Sequence, residues 1–184
     1  MTDSVIVLDM LNDFVTGAIA AERAERIIPT LRDELLPAAR EHGVRVLYAN
    51  DAHRPEDFEL AVWGPHAMRG TEGAAVIPEL TPADGDDVFE KRFYDAFYET
   101  GLDQHLRSLG VDRVVVVGLH TNMCARHTSA SAFFNGYEVV VPADCTDAFS
   151  EEEHERGLAY LDYVYDAEIT TAADVVGEWE SAAR

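Results

Sequence analysis

The sequence predicts an α/β fold: a three-layer α/β/α, Rossmann-like sandwich built on a mostly parallel six-stranded sheet. Three observations carry this. Short apolar, β-branched runs alternate with longer stretches of helical period. The run Asp112-Arg-Val-Val-Val-Val-Gly118 is apolar without interruption, as a central strand covered on both faces must be. The chain of 184 residues shows no internal repeat and no linker, so residues 1–184 read as one domain.

The elements follow in order. Ser4 to Asp9 is a buried strand ending in an acid. Residues 22–42 have helical period and stop near Gly43. Residues 44–50 form the second strand. Residues 51–82 are rich in Pro and Gly, lack a clean period, and gather His, Trp and acids. A loop this long in a compact domain is usually functional. Residues 87–91 are a short strand, 102–109 a helix closed by Gly110, and 112–118 the central strand. A helix over 122–135 runs to Gly136, a strand spans 137–141, a helix 151–163, and a last short strand 166–169.

Composition excludes several classes. Hydrophobic residues make up 47%, which is too many for a disordered chain. No apolar run approaches the roughly 20 residues of a membrane span. No signal peptide opens the chain. Two cysteines exclude a disulfide scaffold and point to a reducing cytoplasm. The net charge of −21 argues against nucleic-acid backbones and anionic lipid, both of which need a basic footprint. Acids are spread along the chain, and of 14 basic residues all but Lys91 are arginine. This composition is of the haloarchaeal type, that of a protein adapted to a salty cytoplasm. It also singles out the lone lysine.

Ligands of open α/β sheets bind beyond the carboxyl ends of the strands. That rule selects Asp9, Asp51 with His53, Lys91, and the Gly118-to-Cys124 turn for one rim. No Walker loop, dinucleotide glycine fingerprint, serine nucleophile elbow or HExxH motif is present. Cys124 falls in the first turn of a helix that Thr121 or Asn122 can cap, where dipole and N–H groups favour a thiolate. The same N–H groups can receive an oxyanion. Asp9 can serve as acid/base and Lys91 as its cationic neighbour. Taken singly, a buried structural cysteine and an exposed strand-end charge explain Cys124 and Lys91 better, and a rim carboxylate explains Asp9 equally well. Cys145 reads as structural.

Asp51-x-His53 followed by His66 offers a carboxylate and two imidazoles, a set suited to Zn²⁺, Mn²⁺ or Fe²⁺. Solvated loop residues can have the same spacing. His42, His105 and His154 read as surface residues on helices.

The whole chain resembles the isochorismatase-like cysteine hydrolases and, within them, the nicotinamidases. The resemblance rests on four segments in order: Asp9-x-x-x-Asp13-Phe14, Gly70-Thr-Glu-Gly73, Glu90-Lys-Arg-Phe-Tyr-Asp-Ala-Phe97, and Gly118-Leu-His-Thr-Asn-Met-Cys124. It implies a catalytic trio of Asp9, Lys91 and Cys124, and a cis peptide at Leu119–His120. It also implies an oxyanion hole from the backbone N–H groups of His120 and Cys124. Glu59 would join Asp51, His53 and His66 on the metal, with Asp57 its rival. Phe14, Trp63 and Tyr98 match positions that wall the ring pocket, and relatives usually self-associate. His120 stands where a small residue is common and Asn122 where aspartate is, leaving open where the His120 imidazole points. The metal set favours nicotinamide, whose pyridine nitrogen is a borderline ligand, over N-carbamoyl or isochorismate substrates. Rival readings are another small amide, ureido or vinyl-ether substrate, and a non-catalytic scaffold or binding protein of the same fold.

Overall fold

The computed structural model describes residues 1–182. Its sheet has the order β3-β2-β1-β4-β5-β7, with the two-residue β6 paired to β4. The strands are β1 Asp3–Leu8, β2 Arg45–Asp51, β3 Asp87–Lys91, β4 Arg113–Leu119, β5 Glu138–Pro142, β6 Thr146–Asp147 and β7 Glu168–Thr170. Every pairing is parallel. The six expected strands are all present; β6 is additional, too short to leave a run in the sequence.

Alternation along the strands divides the core into two layers. Val5, Val7, Val115 and Val117 pack with Leu31, Leu35 and Trp179 on one face. Ile6, Leu8, Val114 and Val116 pack with Leu102, Leu106, Ala132 and Leu161 on the other. Two single-turn helices, α1 (Asn12–Val15) and α4 (Leu60–Trp63), lie in the connections after β1 and β2, and the second face is covered by α5 (Leu102–Ser108), α6 (Arg126–Phe134) and α7 (Glu151–Tyr165). The first carries α8 (Ala172–Ala182), which the sequence reading did not find, and the segment 22–41. That segment is not the single helix its period implies. It runs as a 3₁₀ turn (Glu22–Arg26), α2 (Ile28–Thr30), a π-type stretch (Leu31–Leu35) and α3 (Leu36–Glu41). Pro29 and Pro37 lack the N–H that a continuous helix needs, and the backbone widens just before Pro37.

The chain reverses its winding between β1 and β4, so the switch-point crevice opens beyond Leu8 and Leu119. Leu8 lies in register with Gly118, and Asp51 with Lys91. Gly118 has φ +97°, and a Cβ there would come within 2.0 Å of the Leu8 carbonyl oxygen. Only glycine lets the two central strands run this close where the Gly118–Cys124 turn begins.

Candidate active site

Each side chain at the rim is delivered by a strand end. Asp9 follows β1 in a left-handed conformation, φ 53°, which costs an L-residue roughly 1–2 kcal/mol and is held here at the site. Its Oδ1 accepts the Asp51 N–H at 2.8 Å, and its Oδ2 lies 2.8 Å from Lys91 Nζ. Lys91 Nζ also donates to Asp51 Oδ1 at 2.5 Å and lies 3.7 Å from Cys124 Sγ. Single ligand atoms of Asp9, Asp51 and Cys124 fall within 4.8 Å of one another. Three distant parts of the chain thus bring carboxylate, amine and thiol together out of water; Lys91 is 1% exposed and Asp9 fully buried.

Burial shapes the protonation of this cluster. It raises Asp9 to about 6, helped by the charge of Asp51 and opposed by Lys91. Burial would discharge Lys91, but Asp51 and Asp9 together hold it well above its ordinary value, as a cation. Burial also pushes the Cys124 thiol well up, against the pull of Lys91. Burial thus opposes the thiolate that the helix position favours, and Asp9 stands beside the sulfur as a carboxylate acceptor. The capping expectation changes too, because the turn makes no side-chain cap bond. Instead the His120 carbonyl accepts from Met123 at 3.0 Å and, in a π-type bond, from Ala125 at 3.1 Å. The Leu119–His120 peptide is cis, as the resemblance implies. Cys145 is buried in the opposite core layer, consistent with a structural role.

The second cluster is assembled by backbone bonds between two stretches of the long loop. His53 N–H donates to Ala67 O at 2.9 Å, and Arg69 N–H donates to His53 O at 2.9 Å. Asp13 fastens the same stretch by accepting the Ala67 N–H at 2.8 Å. The imidazoles of His53 and His66 meet at 4.7 Å between centroids. Their outer nitrogens are occupied: His53 Nδ1 by Asp57 Oδ2 at 3.1 Å, and His66 Nδ1 by the Gly64 carbonyl at 2.8 Å. Both Nε2 atoms are buried without a hydrogen-bond partner. His53 Nε2 is 3.6 Å from Asp51 Oδ2 and 3.9 Å from Glu59 Oε1, which is 3.8 Å from His66 Nε2. Ligand atoms of Asp51, His53, Glu59 and His66 all lie within 4.8 Å of one another.

Four donors around one point, with two orphaned imidazole nitrogens oriented from behind, suit a divalent cation. Burial and the charge of Asp51 raise Glu59 to about 7, a repulsion that a cation there would relieve. Asp57 is not a fourth donor. It accepts from His53 and Arg54 and pairs with Arg92, which holds it well below the usual carboxylate range.

Between the two clusters lies a narrow cleft. Phe14, Trp63, Tyr94, His120, Met123 and Phe149 line it together with Asp51, Glu59 and Cys124. Phe14 and Trp63 line the cleft, as the resemblance implies. Tyr98 does not: it is 52% exposed and packs edge-on against Phe93, in a separate groove. Tyr94 takes that wall, its hydroxyl accepting from the Trp63 indole at 3.0 Å. The turn after β3 carries both tyrosines, and the spacing alone does not say which one turns inward. The His120 ring lies between Phe14, at 5.8 Å, and Phe149, on which it stacks at 4.3 Å. Burial lowers it to about 4, so it is a neutral wall of the cleft.

A buried thiol, carboxylate and ammonium thus meet at the switch point of a parallel sheet in an α/β protein. The isochorismatase domain family matches residues 4–174, and the chain belongs to that family of hydrolases. Among its relatives, nicotinamidase 3 of Arabidopsis thaliana is 31% identical over 164 residues, spanning 86% of this chain and 79% of the plant protein. The N-carbamoylsarcosine amidase of Thermoplasma acidophilum superposes with a TM-score of 0.88 at 37% identity, covering 94% of this chain and 97% of that one. The pyrazinamidase of Pyrococcus horikoshii, solved in complex with zinc, superposes at 0.85 with 25% identity over 93% and 99% of the two chains. Among the described residues, no helix is long and apolar enough to cross a membrane.

Proposed function

We propose that the protein is a nicotinamidase-like amidohydrolase that converts nicotinamide to nicotinate and ammonia, with Asp9, Lys91 and Cys124 as its catalytic trio. Asp51, His53, Glu59 and His66 would hold a divalent ion, zinc in the first instance. The observation that carries the reading is the pair of partnerless imidazole nitrogens beside the cleft that contains Cys124. When bound, the ion would supply a Lewis-acid contact for the pyridine nitrogen.

The protein groups act at the other end of the substrate. Phe14, Trp63 and Tyr94 enclose the ring, so the carboxamide faces the sulfur. Asp9 accepts the Cys124 proton as the sulfur–carbon bond forms. Free transfer would be uphill, because burial raises the thiol, so it proceeds with attack. Lys91 stabilises the negative sulfur. The N–H groups of His120 and Cys124 receive the oxyanion; in other hydrolases such donors are worth about 3–4 kcal/mol each. The carbon–nitrogen bond breaks, Asp9 returns its proton to the departing ammonia, and water cleaves the thioester to nicotinate.

A second reading is hydrolysis of another small amide or ureido compound. The likeness to the Thermoplasma amidase favours it. Ammonia release separates the two. On nicotinamide it is expected to proceed in the purified protein, to fall at least about tenfold after chelation, and to return with added zinc. Turnover of N-carbamoyl compounds alone, indifferent to chelator, would select the second reading. The assay belongs in molar salt, because we read the −21 charge as adaptation to a saline, reducing cytoplasm. Self-association forms part of the same reading.

A further inference from the structure

Helical period leaves His154 on a helix surface, but the fold turns it toward the nucleophile. α7 meets the turn after β4 at two points. Gly157 lacks a Cβ that would sit 2.9 Å from Thr121 Cγ2 and 3.2 Å from the Asn122 nitrogen, so the helix lies directly on the turn. Three residues earlier, His154 Nδ1 is 2.8 Å from Thr121 Oγ1, with the histidine side chain only 14% exposed. Thr121 Oγ1 is also 3.0 Å from Thr146 Oγ1, and the Thr146 hydroxyl donates to the Gly118 carbonyl at 2.7 Å.

Each hydroxyl has one proton to give. That of Thr146 is used on Gly118, so Thr121 is the donor between the two threonines. Thr121 then offers His154 only a lone pair, and Nδ1 must carry hydrogen. Asp147 Oδ1, 4.0 Å from Nδ1, favours the same arrangement. The bonds run one way, from His154 through Thr121 and Thr146 to Gly118. Gly118 and Thr121 flank Leu119 and His120, and Cys124 follows three residues later.

We propose that His154 is a positioning residue: its Nδ1–H, donated to Thr121, holds the Gly118–Cys124 segment where the sulfur and the His120 and Cys124 N–H groups face the substrate. This rests on Cys124 being the nucleophile. Misplacing reacting groups by an ångström can cost about 100-fold in rate, so a loosened turn should register in kcat while the ring pocket, and with it KM, changes little.

An isosteric pair tests it. Asparagine places an N–H where histidine has Nδ1; aspartate places an oxygen without hydrogen there. In His154→Asn, kcat for nicotinamide should stay within about threefold of the wild type; in His154→Asp it should fall about tenfold or more, with KM within about threefold. The rate of Cys124 carbamidomethylation by iodoacetamide, a readout independent of the substrate, should separate the two variants in the same way. If the aspartate disturbs folding in a thermal melt, His154→Ala replaces it. Equal rates in the donor and non-donor variants, whether both normal or both impaired, would overturn the proposal. If the wild type leaves nicotinamide untouched, the functional reading fails by itself, and the alkylation comparison still decides the role of His154.

Discussion

Cys124→Ala is expected to lower ammonia release from nicotinamide by at least about 10⁴-fold while leaving nicotinamide binding within a few-fold of the wild type. The loss is large because the substitution removes the atom that forms the bond. No other group replaces it: Cys145 is fully buried in the opposite layer of the core, across the sheet from the cleft. Binding survives because the ring contacts come from Phe14, Trp63 and Tyr94 and the ring-nitrogen end from the four-donor cluster. Ammonia assay and titration calorimetry read the two quantities separately. Retained turnover would remove the sulfur from the mechanism, and lost binding would place the ring elsewhere.

Lys91→Met has the next largest effect, on stability and activity together. The ammonium lies 2.8 Å from Asp9 and 2.5 Å from Asp51, all three nearly inaccessible to water. Removing it leaves two carboxylates facing each other in the interior. Breaking a buried ion pair by deleting one partner costs roughly 3–5 kcal/mol. For a chain of this size that is a fall in melting temperature of about 10 °C. Activity should be lost as well, because nothing then balances the sulfur's charge as Asp9 takes its proton. Lys91→Arg is not a rescue, since a planar guanidinium does not fit a point-charge site enclosed by three groups. An unchanged melt in Lys91→Met would mean that Asp9 and Asp51 do not share an unscreened site.

The strands and the rim were legible because the signals were local. Val114 to Val117 can only be a strand buried on both faces, and the strand ends then deliver Asp9, Asp51, Lys91 and the Cys124 turn to one edge. The metal-type cluster was legible as residue types, while its geometry depends on long-range backbone bonds between His53 and the stretch 67–69, which leave no periodic trace. For the same reason the turn after β3 did not say which tyrosine turns inward. Phe149 has no local signal, because it lies in the connection before α7 and follows the two-residue β6, which leaves no run in the sequence. The contact between His154 and Thr121 was hidden more deeply. The sequence puts His154 one turn into a helix with acidic neighbours, and only the packing of Gly157 against Thr121 brings that face onto the Gly118–Cys124 turn. Burial of the sulfur, which opposes the thiolate that a helix-terminal position favours, depends on packing from several elements and leaves no local pattern.

The most direct measurement is mass spectrometry of the protein quenched in acid during nicotinamide turnover and digested with trypsin. Cleavage after Arg113 and Arg126 isolates the peptide Val114–Arg126, which carries Cys124 and no other cysteine. The account predicts one nicotinoyl group replacing hydrogen on that peptide, present during turnover and absent after substrate is exhausted. Turnover with that peptide unmodified at every quench time, or an acyl group on another residue, would contradict it.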